Sequence, residues 1–148
     1  NVPVLPESYK NNPPFLRHDE AILRKIAILI VSGQIEATEF MAEDDKNLWG
    51  SSMEKPDLDR VSHHGQEWHK KMMDIIYDYF KSKNNQITLE PILNHGRADL
   101  GILFEQNKNI YIEVDTVSLF KLWYNLSTIK NATFLVIPSE DKIIEFKT

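Results

Sequence analysis

The stretch that decides the fold is His95-Gly96-Arg97-Ala98-Asp99-Leu100-Gly101-Ile102-Leu103-Phe104-Glu105-Gln106-Asn107-Lys108-Asn109-Ile110-Tyr111-Ile112-Glu113-Val114-Asp115. Two apolar runs flank a polar connection, Glu105 to Asn109, which predicts a β-hairpin with strands over Ala98–Phe104 and Ile110–Asp115. Asp99 opens the first strand, and Glu113 and Asp115 end the second. Their spacing of two puts Glu113 and Asp115 on one face. If the hairpin is symmetric about Asn107, Asp99 falls opposite Asp115 and Gly101 opposite Glu113. Opposed side chains then lie roughly 5 Å apart and diagonal ones roughly 8 Å. A shifted register moves the three acids apart. Carboxylates gathered this way repel one another and lose hydration. A divalent cation offsets both costs, and Mg²⁺ favours one or two carboxylates with water and phosphate. Such an ion activates water and stabilises charge on a phosphodiester. The competing reading is a strand that simply ends in solvent.

Outward from the hairpin the elements follow from periodicity. Upstream, Trp68, Met72, Ile75, Ile76 and Tyr79 recur at helical spacing and predict a helix over Ser62–Ser82, broken by Asn84-Asn85. A strand follows over Gln86–Leu93, with Pro91 marking an edge position or a bulge. Downstream, a helix over Val117–Ile129 leads to a strand over Ala132–Ile137, and a helical crossover suits a parallel pairing there. Pro138-Ser139-Glu140-Asp141 turns the chain into a last strand, Lys142–Lys147. Towards the N-terminus, four prolines in residues 1–17 read as an irregular arm. His18–Ser32 reads as a helix with Asp19 as N-cap, Gly33 as stop and a broad apolar face that must pack on the core or a partner. Gln34–Arg60 reads as a long loop with at most a short helix. Residues 1–61 thus form an N-terminal arm, helix and loop, and residues 62–148 a mixed α/β core of order α-β-β-β-α-β-β.

The 148 residues contain no cysteine, which excludes disulfides, thiolate metal sites and cysteine nucleophiles. The net charge of −5 argues against strong non-specific DNA binding but leaves room for a local basic face. The longest apolar run, Ile26–Val31, is too short to span a bilayer, so no membrane is expected and an intracellular location is. Phosphate-binding glycine loops and His-Glu-x-x-His are absent. The chain begins at Asn1 rather than Met, which leaves its processing open.

His95-Gly96-Arg97-Ala98-Asp99, followed by strand, hairpin and Ile112-Glu113-Val114-Asp115, resembles the PD-(D/E)xK nuclease superfamily. It is particularly similar to archaeal Holliday-junction resolvases and small nucleases of archaeal viruses and plasmids. The resemblance covers about Ser62 to Ile137 and rests on short motifs and on the order of elements. It implies a restriction-endonuclease-like core, a mixed central sheet flanked by helices, here with an N-terminal helical extension. It implies a Mg²⁺- or Mn²⁺-dependent deoxyribonuclease acting on DNA as a homodimer. By the resemblance Asp99 and Glu113 match the metal-binding acids, with Asp115 as an added ligand, and Glu67 matches the glutamate on the preceding helix. The family's strand lysine is replaced by Asp115, and Lys121, about one turn into the next helix, is the candidate substitute. On a regular helix Glu67 lies roughly 120° from the apolar stripe, which reads equally as a solvent face. Arg97, Lys70 and Lys71 are the candidate DNA contacts, extended by Lys81, Lys83 and Lys130. His63, His64, His69 and His95 read as capping or surface residues before metal ligands. The missing lysine and acidic balance leave an alternative open: a non-catalytic nucleic-acid-binding or structural protein with a nuclease-like fold.

Overall fold

The computed structural model describes residues 14–41, 66–104, 107–115, 117–139 and 141–148. In chain order these form helix α1 (Pro14–Val31), strand β1 (Glu36–Met41), helix α2 (Gln66–Ser82), strands β2 (Gln86–Leu89), β3 (Leu100–Phe104) and β4 (Lys108–Val114), helix α3 (Leu119–Thr128), and strands β5 (Ala132–Ser139) and β6 (Lys142–Lys147). From Gln66 onward the order is α-β-β-β-α-β-β. The six strands make one mixed sheet, β1-β6-β5-β4-β3-β2. The β4–β5 pair is parallel, because α3 carries the chain back across the sheet; the other pairs are antiparallel.

Alternation along the strands splits the core in two. Ile112 and Val114 of β4, with Leu100 and Ile102 of β3, meet Trp68, Met72, Ile76 and Phe80 of α2 on one face. On the other face, Leu122 and Leu126 of α3 pack with Ile22, Ile26 and Leu29 of α1 and with Phe134, Val136 and Phe146 of the sheet. Tyr111 joins this second layer.

The N-terminal segment is more than a helical extension. Residues 36–41 fall in the expected loop, yet form β1, paired with β6 from Glu36↔Lys147 to Met41↔Lys142. Glu36, Thr38 and Glu39 suit an exposed edge strand and leave no apolar alternation to mark it. Residues 42–60 of that loop lie outside the described residues. Helix α1 also starts before Asp19, which sits inside it rather than capping it. Gly33 does end the helix: at φ +81° it lets its own N–H reach Ile30 O and the Gln34 N–H reach Leu29 O.

Strand β2 is shorter than predicted. It ends at Leu89, and Glu90 at φ +47° turns the chain so that Pro91 leaves the ladder. Pro91 lies over Gly101, where an added Cβ would sit 2.9 Å from the proline Cγ. Only glycine leaves that space at the second residue of β3. The loop beyond returns through an Ile92↔Arg97 bridge, and Gly96 takes φ +72° at its tip.

The hairpin register differs from the symmetric expectation by two residues. Phe104 pairs with Lys108, Gly101 with Tyr111 and Leu100 with Ile112. Asn107 is left-handed at φ +62°, a conformation asparagine tolerates, and β4 begins directly after it at Lys108 rather than at Ile110. A shift of two preserves faces but changes neighbours: Gly101 does not face Glu113, and the register carried one residue past Leu100↔Ile112 sets Asp99 beside Glu113 rather than Asp115. Among the described residues no helix is long and apolar enough to cross a membrane.

Candidate functional site

The start of β3, the end of β4 and the first turn of α3 meet at one edge of the sheet. This edge lies at the carboxyl ends of the parallel pair, where open α/β sheets generally place ligands. Glu113 is the penultimate residue of β4 and its side chain is on the α3 face, 7% exposed. Ser118 caps α3 by accepting the Lys121 N–H. The helix so begun brings the Lys121 ammonium to 2.8 Å from Glu113 Oε2. The same ammonium donates to the backbone oxygen of Arg97. Its aliphatic stem lies against Gly96, where an added Cβ would meet Lys121 Cε at 3.2 Å.

Burial pushes the Glu113 carboxyl above its usual range. The hydrogen bond and the charge of Lys121 act against that rise, and the neighbouring Asp99 carboxylate adds to it. Asp99 is tied down differently. Its Oδ2 accepts the Val114 N–H at 2.7 Å, so the carboxylate caps the last residue of β4. His69 Nε2 stands 3.4 Å from the same oxygen, longer than a good hydrogen bond.

Asp115 does not continue the alternation. The strand ends at Val114, and Asp115 turns to φ +76° while its N–H donates to Ile137 O at 2.8 Å. The two-residue spacing from Glu113 therefore no longer implies a shared face. Glu67 is exposed in the first turn of α2, as its azimuth suggests, and Lys70 and Lys71 are exposed on the same helix. The α2 residue that reaches the site is His69. Arg97 is exposed at the loop end. His63 and His64 lie outside the described residues.

Two further residues shape the edge. Asn125 of α3 is 1% exposed. Its amide nitrogen donates to His95 O and Lys121 O, each at 2.9 Å, and its oxygen accepts the His95 N–H at 3.0 Å. One side chain thus clamps the 93–97 loop to the helix that carries Lys121. Buried and spent, it is no glycosylation acceptor despite its Asn-x-Ser context. His69 and Asn125 both had a sequence signal: each is a polar residue on an apolar helical stripe, His69 three and four residues before Met72 and Met73, Asn125 between Leu122 and Ile129.

Both carboxylates of this edge are already engaged by protein donors. Among the described residues no three His, Asp or Glu side chains are arranged to hold one. One Glu113 oxygen faces an ammonium, which repels a second cation, and one Asp99 oxygen is taken by a backbone N–H. What the edge does offer is one acid paired with a lysine, a second held by a backbone N–H, and an exposed arginine two residues before Asp99. No known protein family, characterised protein or solved structure matches the chain.

Proposed function

We propose that this chain is a non-catalytic nucleic-acid-binding protein built on a restriction-endonuclease-like core. The observation that carries the reading is the Lys121 ammonium seated between Glu113 and the Arg97 carbonyl. Two free carboxylates at a sheet edge would repel a phosphate backbone. Lys121 offsets the charge of Glu113, and Arg97, exposed two residues before Asp99, supplies a second cation against the charge that Asp99 keeps. Contacts of this kind position a backbone without reading its sequence. DNA is the proposed partner, and a homodimer the proposed assembly, in an intracellular setting.

The test is a panel of labelled duplex, single strand and four-way junction, each with Mg²⁺, Mn²⁺ or chelator. Binding should occur in chelator, weaken several-fold in Arg97→Ala, and leave every strand uncut. Failure to bind any of the three substrates would sink the proposal.

The second reading is a Mg²⁺- or Mn²⁺-dependent deoxyribonuclease. It is favoured by the meeting of Asp99, Glu113 and Lys121, an acid, an acid and a lysine, at one strand end. On this reading Lys121 leaves Glu113 when the ion enters, and Asp99 and Glu113 hold it. Metal-dependent cutting that vanishes in both Asp99→Ala and Glu113→Ala, with folding intact, would replace the first reading by this one.

A further inference from the structure

Beside the Glu113–Lys121 pair lies a group of aromatic rings that the backbone-binding reading does not use. Segments 91–98 and 117–131 contain no Asp or Glu, in a chain of net charge −5, and they carry Arg97, Lys121 and Lys130. Between these segments the exposed imidazole of His95 sits edge-on to Phe120, with centroids 5.1 Å apart, and 5.8 Å from Tyr124. Phe120 and Tyr124 are nearly parallel, 29° apart at 6.0 Å. Each keeps more than a third of its surface in solvent. Three rings within three residues of Lys121 or Arg97 are thus left with open faces or edges.

The rings are held, not merely placed. Asn125 fixes His95 through both its N–H and its carbonyl. Asn94 adds a 3.0 Å hydrogen bond to Thr128 at the far end of α3. Trp123, the fourth aromatic of the cluster, is engaged by Lys25 of α1 at 4.8 Å and faces inward. An apolar protein partner would gain little from ring edges set among cations. A nucleobase gains on both counts: its flat face stacks on an aromatic ring, and its phosphates meet Arg97.

We propose that the His95–Phe120–Tyr124 patch is a stacking platform for an unpaired nucleobase, so that the ligand is single-stranded or locally unpaired nucleic acid rather than continuous duplex. This rests on the nucleic-acid-binding reading and specifies its substrate. Bases inside a duplex are stacked on one another and cannot reach such a platform without being turned out.

The experiment measures fluorescence anisotropy of a labelled oligothymidine and of a duplex of the same length, in chelator at low salt. The proteins are the full chain and its Phe120→Ala, Tyr124→Ala, Phe120→Tyr and Tyr124→Phe variants. The single strand should bind several-fold tighter than the duplex. Each alanine variant should lose about tenfold in single-strand affinity, and duplex affinity should stay within about twofold. The aromatic swaps should keep single-strand affinity, which separates stacking from a folding defect. A 2-aminopurine base in the single strand should be quenched by the full chain and not by Phe120→Ala. Equal affinity for both oligonucleotides with no loss in the alanine variants overturns the platform while leaving backbone binding in place. No binding of either overturns both readings. Sedimentation in which Phe120→Ala abolishes a dimer, with single-strand affinity unchanged, reassigns the patch to contact between copies and also overturns the proposal.

Discussion

Glu113 carries the electrostatic tension of the molecule. Its carboxyl holds a proton to higher pH in the folded chain than its ordinary value of 4.5 allows in the unfolded one. Across the window just above 4.5 the folded state therefore binds more protons, so this group's contribution to stability falls as pH rises. Glu113→Gln removes that dependence. Thermal melts from about pH 4 to about pH 7 should show the variant gaining on the native chain as pH rises, with the difference flat above the folded pKa. A constant offset would show that burial does not govern this carboxyl. Lys121→Met leaves the same carboxylate buried without its ammonium. The Lys121 side chain is 20% exposed, so we expect a cost of about 2 kcal/mol, below the 3–5 kcal/mol seen for fully buried pairs. Denaturant unfolding measures it, and pairing the change with Glu113→Leu should recover most of the loss. Asn125→Ala strips the 93–97 loop of two hydrogen bonds and the Lys121 carbonyl of a third. Its expected cost is about 2 kcal/mol, with faster amide exchange at His95.

Among the elements, the contact of β3 with the Glu90-Pro91 bulge and the docking of α1 are the most easily tested. Gly101→Ala drives a methyl into Pro91 at 2.9 Å and should cost about 1–3 kcal/mol. Adding Pro91→Ala should relieve much of it, and a double-mutant cycle by urea unfolding gives the coupling. Helix α1 shares a buried cluster with α3 and the sheet, and β1 supplies an edge strand. Ile26→Ala should therefore lower global stability by about 2–4 kcal/mol in a single cooperative transition. A separate early transition would instead show the N-terminal elements melting on their own.

At the scale of the molecule, the unmatched feature is the far side of α1. Ile22, Ile26 and Leu29 are spent on the core, while Leu23 (54% exposed), Ile28 (63%) and Val31 (87%) face outward. Trp123 of α3, a large aromatic that could otherwise meet a second copy, is already covered by α1 through Lys25. The proposed homodimer thus falls to the outer stripe of α1 alone. Sedimentation at tens of micromolar should give a dimer that Leu23→Lys with Val31→Lys converts to a monomer of unchanged circular dichroism. A native monomer at those concentrations removes the dimer from the proposed function.

Periodicity and punctuation were enough for the order of elements from Gln66 onward, for the parallel β4–β5 crossover around α3, and for the stop at Gly33. Each depends on residues a few positions apart. The same local reading put Asp99 and Glu113 at strand ends and Lys121 one turn into the next helix, where a side chain can reach back. Register was another matter. A two-residue shift keeps every side chain on its face, so the apolar pattern of β3 and β4 cannot distinguish Gly101 opposite Tyr111 from Gly101 opposite Glu113; the left-handed turn at Asn107 chose. Strand β1 has no apolar alternation of its own and exists because β6 offers an edge. The approach of His69 to Asp99 and the grip of Asn125 on His95 join residues 30 positions apart. Such contacts depend on how helices lie across the sheet, which packing decides and no spacing along the chain encodes.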